Sequence, residues 1–238
     1  MQYSPVQSIT SFRRLCSLVK PKREFIYFHE KDTWPVELIK NIEKNCFVSP
    51  DFITEKEEDE LISEITPHMK RLKYERDHWD DAIYLFRERE QRNWSKENEI
   101  VIKRVIENSI PKESEHLSYV HILDLHKDGY IKPHIDSVRY CGNIVTGLSL
   151  LSDAVMRLVS KDRKYIFDLF LQRRSLYKLS GAGRYEFTHE ILPRDKSRFR
   201  GHQIFRDRRI SVVCRDLPKR SNGDKERTIE NVVFKPIN

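Results

Sequence analysis

A chain of 238 residues with 38% hydrophobic content and a mean hydropathy of −0.67 is long enough for one sizeable domain and a tail. It contains no apolar run of membrane-spanning length. Its four cysteines (Cys16, Cys46, Cys141, Cys214) form no C-x-x-C, which argues against a disulfide framework or a cysteine zinc site and fits a reducing compartment. The net charge of +7 is unevenly spread: residues 161–220 hold 17 basic and 7 acidic side chains, residues 24–160 hold 19 and 27. The body is therefore polarised, not uniformly basic.

Residues 1–23 carry five basic side chains and no acid. Ile9, Phe12, Leu15 and Val19 recur at helical spacing, so the stretch reads as a mitochondrial transit peptide directing the chain to the matrix. The competing reading is a disordered basic tail. Residues 24–45 read as an irregular linker. Thr54 with Glu57 three residues on forms a capping box that opens a helix. Leu61, Ile62 and Ile65 are its buried stripe, Pro67 helps to end it, and its acids (Glu57, Glu58, Asp59, Glu60, Glu64) read as solvated. Residues 74–92 are dense in charges and aromatics without a clear period. His78 between Asp77 and Asp80 reads as a loop histidine, since no partner spacing repeats. Ser95 caps a second helix over 95–108, with Ile100, Val101, Val105 and Ile106 as its core face.

From about residue 117 the period becomes that of strands. Segments 118–125, 147–151, 156–159, 165–171, 175–179, 184–189 and 209–215 are the candidates. At least six strands following two helices predict an α+β domain whose β part is a sandwich or barrel.

His134 and Asp136 stand two apart on an extended segment and so point to one side of it. With His189 they supply two imidazoles and a carboxylate, the ligand set of non-haem Fe(II) oxygenases. In a double-sheet jelly roll His189 would arrive from the facing sheet. The run Arg208 to Arg215 reads as a strand with arginines at both ends. Arg209 and Arg215 are an even offset apart and face one side, where a guanidinium fork suits a dicarboxylate such as 2-oxoglutarate. Arg208 faces the other way and reads as solvated. Tyr177 is in phase with Ser175 and Leu179. Its hydroxyl either bonds the buried carboxylate or its ring simply fills the core.

These passages, with residues 74–83, 129–137, 147–152, 155–158 and 181–191, resemble in order and spacing the AlkB family of Fe(II)/2-oxoglutarate dioxygenases, most closely its mitochondrial branch. The resemblance covers about residues 46–217 and leaves 218–238 as a polar tail. It implies a double-stranded β-helix (jelly-roll) core with N-terminal supporting helices. It implies iron ligands His134, Asp136 and His189, and 2-oxoglutarate contacts at Tyr177, Arg209 and Arg215. The implied reaction consumes O2 and decarboxylates 2-oxoglutarate to succinate and CO2 while a C–H bond is hydroxylated. Nucleic-acid-repairing members carry an Asn-x-Tyr where this chain has Leu123-Asp124-Leu125-His126, and a lid that residues 74–117 do not spell out. The expected substrate is therefore a protein or metabolite. The alternatives are a demethylase of mitochondrial RNA and a non-catalytic jelly-roll binding module. Duplex DNA is not expected as a partner, and the oligomeric state stays open.

Overall fold

The computed structural model describes residues 22–76 and 81–218. The stretch before Lys22, His78 with its neighbouring acids, and the tail beyond Pro218 lie outside them. In chain order the elements are β1 (Ile26–Phe28), α1 (Val36–Asn45), β2 (Phe47–Ser49), α2 (Glu55–Met69), β3 (Ile83–Gln91), α3 (Lys96–Ser109), β4 (Val120–His134), β5 (Val145–Leu150), β6 (Ala154–Ser160), β7 (Ile166–Leu171), β8 (Ser175–Leu179), α4 (Ala182–Tyr185), β9 (Phe187–Ile191), the short hairpin β10 (Arg198–Phe199) and β11 (His202–Gln203), and β12 (Arg209–Arg215).

Ten strands form one antiparallel sheet in the order β1-β7-β6-β9-β4-β12-β5-β8-β2, with β3 paired to β4. The sheet curls on itself into the jelly-roll core. Its inner face buries Leu123, Leu125, Met156, Leu158, Phe167 and Phe187. Its outer face, on the β12-β5-β8 side, packs Ile122, Leu148, Leu176, Ile210 and Val212 against Leu61, Ile65, Val101 and Val105 of α2 and α3. Period-two alternation decides this: in β12 the odd positions turn inward and Ile210, Val212 and Cys214 turn out. Burying each such aliphatic side chain stabilises the fold by roughly 1.5–3 kcal/mol.

β4 carries the curl. β3 runs along one of its edges, while the other edge is shared: Arg209 to Val213 of β12 pair with His121 to Leu125, and β9 pairs with Ile131 and His134. The carbonyls between those two partners have no ladder donor. Arg206, fully buried, supplies it, donating to the carbonyls of His126, Lys127 and Gly129. Gly129 is needed there because a Cβ would stand 2.5 Å from the Leu85 carbonyl oxygen.

Several expectations are corrected. Residues 24–45 are not an irregular linker: β1 closes one edge of the sheet on β7, and α1 leads directly into β2 at the other edge. The charged segment after residue 74 holds a nine-residue strand, β3, which a search for apolar alternation misses because Arg87 and Glu88 are satisfied by Asp124 and His121. Pro67 does not stop α2, which runs on to Met69. The acids of α2 are not merely solvated. Glu58 is fully buried, accepts from the Leu151 N–H at 2.8 Å and pairs with Arg173 at 2.7 Å. The capping box at Thr54 forms in full at the start of α2, and the Ser95 hydroxyl caps α3, as the sequence predicts. Residues 184–189 begin as the single turn α4, and the strand starts only at Phe187.

Arg206→Met should leave the three β4 carbonyls unsatisfied, each costing about 1–3 kcal/mol. Urea titration should show a large drop in the unfolding midpoint, while Arg198→Met, on the exposed hairpin, should leave it within error.

Candidate metal and co-substrate centre

His134 is the last residue of β4, and its cross-strand partner is His189 of β9. The two strands are direct neighbours in the sheet, so His189 does not come from a facing sheet. Direct pairing sets the rings side by side, with centroids 4.3 Å apart. Asp136 follows where β4 ends. One ligand atom from each of the three residues lies within 4.8 Å of the others. The His134 Nδ1 lies 2.9 Å from the Lys132 carbonyl oxygen, which can only accept. A proton therefore sits on Nδ1, which turns Nε2 toward Asp136, whose Oδ1 is 3.5 Å away.

The electrostatics suit a cation. Burial pushes the His189 imidazole down to about 3, helped by the neighbouring His134, so it is a neutral donor at any ordinary pH. Burial alone would raise the Asp136 carboxyl, but Arg215 and the two imidazoles outweigh it and hold it well below the usual carboxylate range. Two imidazoles and one carboxylate gathered at one point fit Fe(II).

Deeper in the curl lies a cluster of buried polar side chains. Arg209 is 1% exposed and has no carboxylate partner among the described residues. Its Nε donates to the Ser149 hydroxyl at 3.0 Å, and its Nη2 has no partner. Tyr177 of β8 stands beside it, with the guanidinium 6.0 Å from the ring centroid. Burial raises the Tyr177 phenol despite Arg209, so it remains a hydrogen-bond donor. Gly147 lies opposite in the register, and a Cβ there would stand 2.9 Å from the Tyr177 hydroxyl. Arg215, at the other end of β12, sets its Nε 3.7 Å from Asp136 Oδ2. A buried, uncompensated guanidinium costs several kcal/mol unless an anion joins it. The cluster is thus built for an acid, and 2-oxoglutarate with one carboxylate at each end fits the donors present.

Some of this cluster escaped the sequence reading. Ser211, Ser149 and Ser175 form one row across β12, β5 and β8, and the Ser175 hydroxyl has no partner. The available signal was a serine recurring at the inward phase of three strands. Arg208 is not solvated as expected: it forks onto the buried Asp124, with contacts of 2.9 and 2.8 Å. Arg184, 1% exposed near His189, carried no signal beyond its place in the motif.

No family model matches the chain. It is 47% identical over 173 residues to a mouse protein, covering 72% of this chain and 78% of that one. It is 44% identical over 183 residues to a cattle protein, covering 76% and 83%. Both are named alpha-ketoglutarate-dependent dioxygenase alkB homolog 7, mitochondrial. Among solved structures it is similar to OsALKBH1, with a TM-score of 0.54 at 10% identity over 72% of this chain and 97% of that one. It is similar also to a Pseudomonas putida prolyl-4-hydroxylase, with a TM-score of 0.52 at 11% identity over 77% and 98%. At such identity these two speak to the fold alone, and the fold is the jelly roll of 2-oxoglutarate oxygenases. With the identity to the mouse and cattle proteins, the chain belongs to the AlkB homologue 7 family and is an Fe(II)- and 2-oxoglutarate-dependent dioxygenase that uses O2.

Proposed function

We propose that this chain is a dioxygenase of the mitochondrial matrix that hydroxylates a protein or metabolite, with His134, Asp136 and His189 holding iron and Tyr177, Arg209 and Arg215 holding 2-oxoglutarate. The observation that carries the reading is the pairing of a three-ligand cluster at the end of β4 with an unneutralised guanidinium at the start of β12. When bound, the metal supplies O2 activation coupled to decarboxylation of 2-oxoglutarate to succinate and CO2, with hydroxylation of a C–H bond. The chain's own residues position the reactants. Arg209 takes the far carboxylate in its fork, Tyr177 and Ser175 donate to it, and the burial of all three excludes water. Arg215 steadies Asp136 and lies where it can meet the nearer carboxylate.

The same observation weighs against a non-catalytic module, which has no use for an inward cation awaiting an anion. Against RNA stands the fate of the basic excess in residues 161–220. Arg173, Arg174 and Arg208 are paired with acids, Arg184, Arg206 and Arg209 are buried inside, and Arg215 serves Asp136. Seven of the segment's seventeen basic side chains are thereby withdrawn from a phosphate-binding track. No described helix is long and apolar enough to cross a membrane. For the compartment, both relatives are named mitochondrial, and the acid-free, basic residues 1–23 read as the import signal ahead of the catalytic domain at about 46–217.

Arg209→Ala should raise the 2-oxoglutarate dissociation constant at least about tenfold by calorimetry, since a charge-assisted hydrogen bond contributes roughly 1.5–3 kcal/mol. His189→Ala should lose iron stoichiometry yet keep its urea midpoint near that of the metal-free parent; full iron content would remove His189 from the ligand set. A fluorescent protein fused to residues 1–30 should enter mitochondria and fail to do so once Arg13 and Arg14 are changed to glutamate. Mass spectrometry of proteins, metabolites and RNA that differ between cells carrying the wild type and His134→Ala should reveal hydroxylated proteins or metabolites; a methylated RNA as the sole difference would reverse the substrate assignment.

A further inference from the structure

We propose that Arg184 recognises the prime substrate by taking a carboxylate group of it beside the metal centre. The inference rests on the iron and 2-oxoglutarate reading above. Arg184 sits on the single turn α4, five residues before His189, and is 1% exposed. Its Nε and Nη1 have no hydrogen-bond partner among the described residues, and no described carboxylate lies within ion-pair reach. Its one side-chain hydrogen bond among the described residues is a long one, from Nη2 to the Cys141 carbonyl oxygen at 3.5 Å. The Tyr185 ring, with its centroid 5.1 Å away, offsets little of the charge. Burying an unpaired cation costs several kcal/mol, so the position demands an acceptor that the folded chain does not itself provide.

The co-substrate is not that acceptor. Arg209 with Tyr177 and Ser175 answers one of its carboxylates, and Arg215 on the Asp136 side answers the other. Arg184 lies on α4, which packs against the strand β9 that carries His189, and its Nη2 reaches the Cys141 carbonyl of the loop formed by residues 137–143. That loop is tied down at its far end: the Asn143 side chain accepts from the Gly181 N–H at 3.2 Å, and the Asp216 carboxylate accepts from the N–H groups of Asn143 and Ile144. Its near end carries Val138 and Tyr140, both exposed. A substrate that displaces this loop would meet its apolar side chains and, beneath them, one guanidinium whose Nε and Nη1 are buried and unpartnered. A planar fork of this kind matches a carboxylate better than it matches a neutral carbonyl or a sugar hydroxyl. The substrate class is then an acid whose carboxylate sits near the C–H bond to be oxidised, either a free metabolite or an acidic residue of a protein.

The test uses the full chain loaded with Zn(II) and saturated with 2-oxoglutarate, so that Arg209 is already occupied. Propionate is titrated while the arginine Nε–H resonances are followed by 15N NMR. The Arg184 resonance should shift and saturate, and that of Arg209 should not move. Arg184→Gln should weaken propionate binding about tenfold or more while leaving the 2-oxoglutarate dissociation constant within about twofold; Arg184→Lys should recover part of the propionate affinity. A wild-type Arg184 resonance indifferent to propionate would overturn the proposal, and this needs no variant to fold. So would a 2-oxoglutarate affinity that falls tenfold in Arg184→Gln, which would make it a co-substrate residue. Inorganic phosphate shifting the resonance where propionate does not would overturn the carboxylate class. Failure of the underlying reading looks different: wild-type protein would then not bind 2-oxoglutarate at all, and the inference would fall with it.

Discussion

One strand edge serves two partners, and the rest of the molecule depends on it. Along β4 the first stretch belongs to β12 and the last to β9. That division lets a single sheet turn back on itself and brings the arginine strand and the histidine strand around one interior. A divided edge leaves backbone oxygens unpaired in between, and buried unpaired carbonyls are expensive. Arg206 answers them with a guanidinium in place of a third strand. Burial and the like charges of Arg209 and Arg194 outweigh Asp128 and Asp207 and pull Arg206 down to about 10. It stays charged at neutral pH, and its bonds to carbonyl dipoles substitute for an ion pair.

Buried arginines divide the labour of this interior. Arg206 spends both terminal nitrogens on chain carbonyls and is structural. Arg208 is satisfied by Asp124, which also receives Arg87 and the Tyr74 hydroxyl, so that this buried carboxylate ties β3, β4 and the entry to β12 together. Arg209 is left with an unpartnered nitrogen facing a tyrosine and three serines. The difference between scaffold and site is thus whether a buried guanidinium's terminal nitrogens find acceptors in the chain. It is visible only when every hydrogen-bond partner is accounted for.

What could be read from the sequence follows the same physics. β8 and β12 were legible to the residue because each is a short run rich in apolar residues with polar side chains set at even offsets. The cluster of His134, Asp136 and His189 was legible because His-x-Asp is a local geometry and the remaining motif order matched a known family. β1, α1 and β3 were not. β1 is three residues long and owes its strand to β7, far along the chain. β3 alternates arginine with glutamate and is held by ion pairs on neighbouring elements, a pattern that local hydrophobicity cannot reveal. Ser149, Ser175, Arg184 and Arg206 were silent for a related reason. A buried polar side chain shows its role only through partners that the tertiary fold supplies or withholds.

The edges of the sheet set an order of events for a chain made from its N-terminus. β1 and β2 appear early, yet Ile26 must wait for Leu169 and Val48 for Tyr177 before either has a hydrogen-bonded neighbour. Contacts this distant make for slow folding and for a long interval in which strand edges are open to other chains. During synthesis the two strands that finish the sheet are the ones exposed longest. A chain stalled or cut before residue 179 retains both edge strands without a complete place to dock them, and such fragments would need a chaperone's hold more than the finished enzyme does.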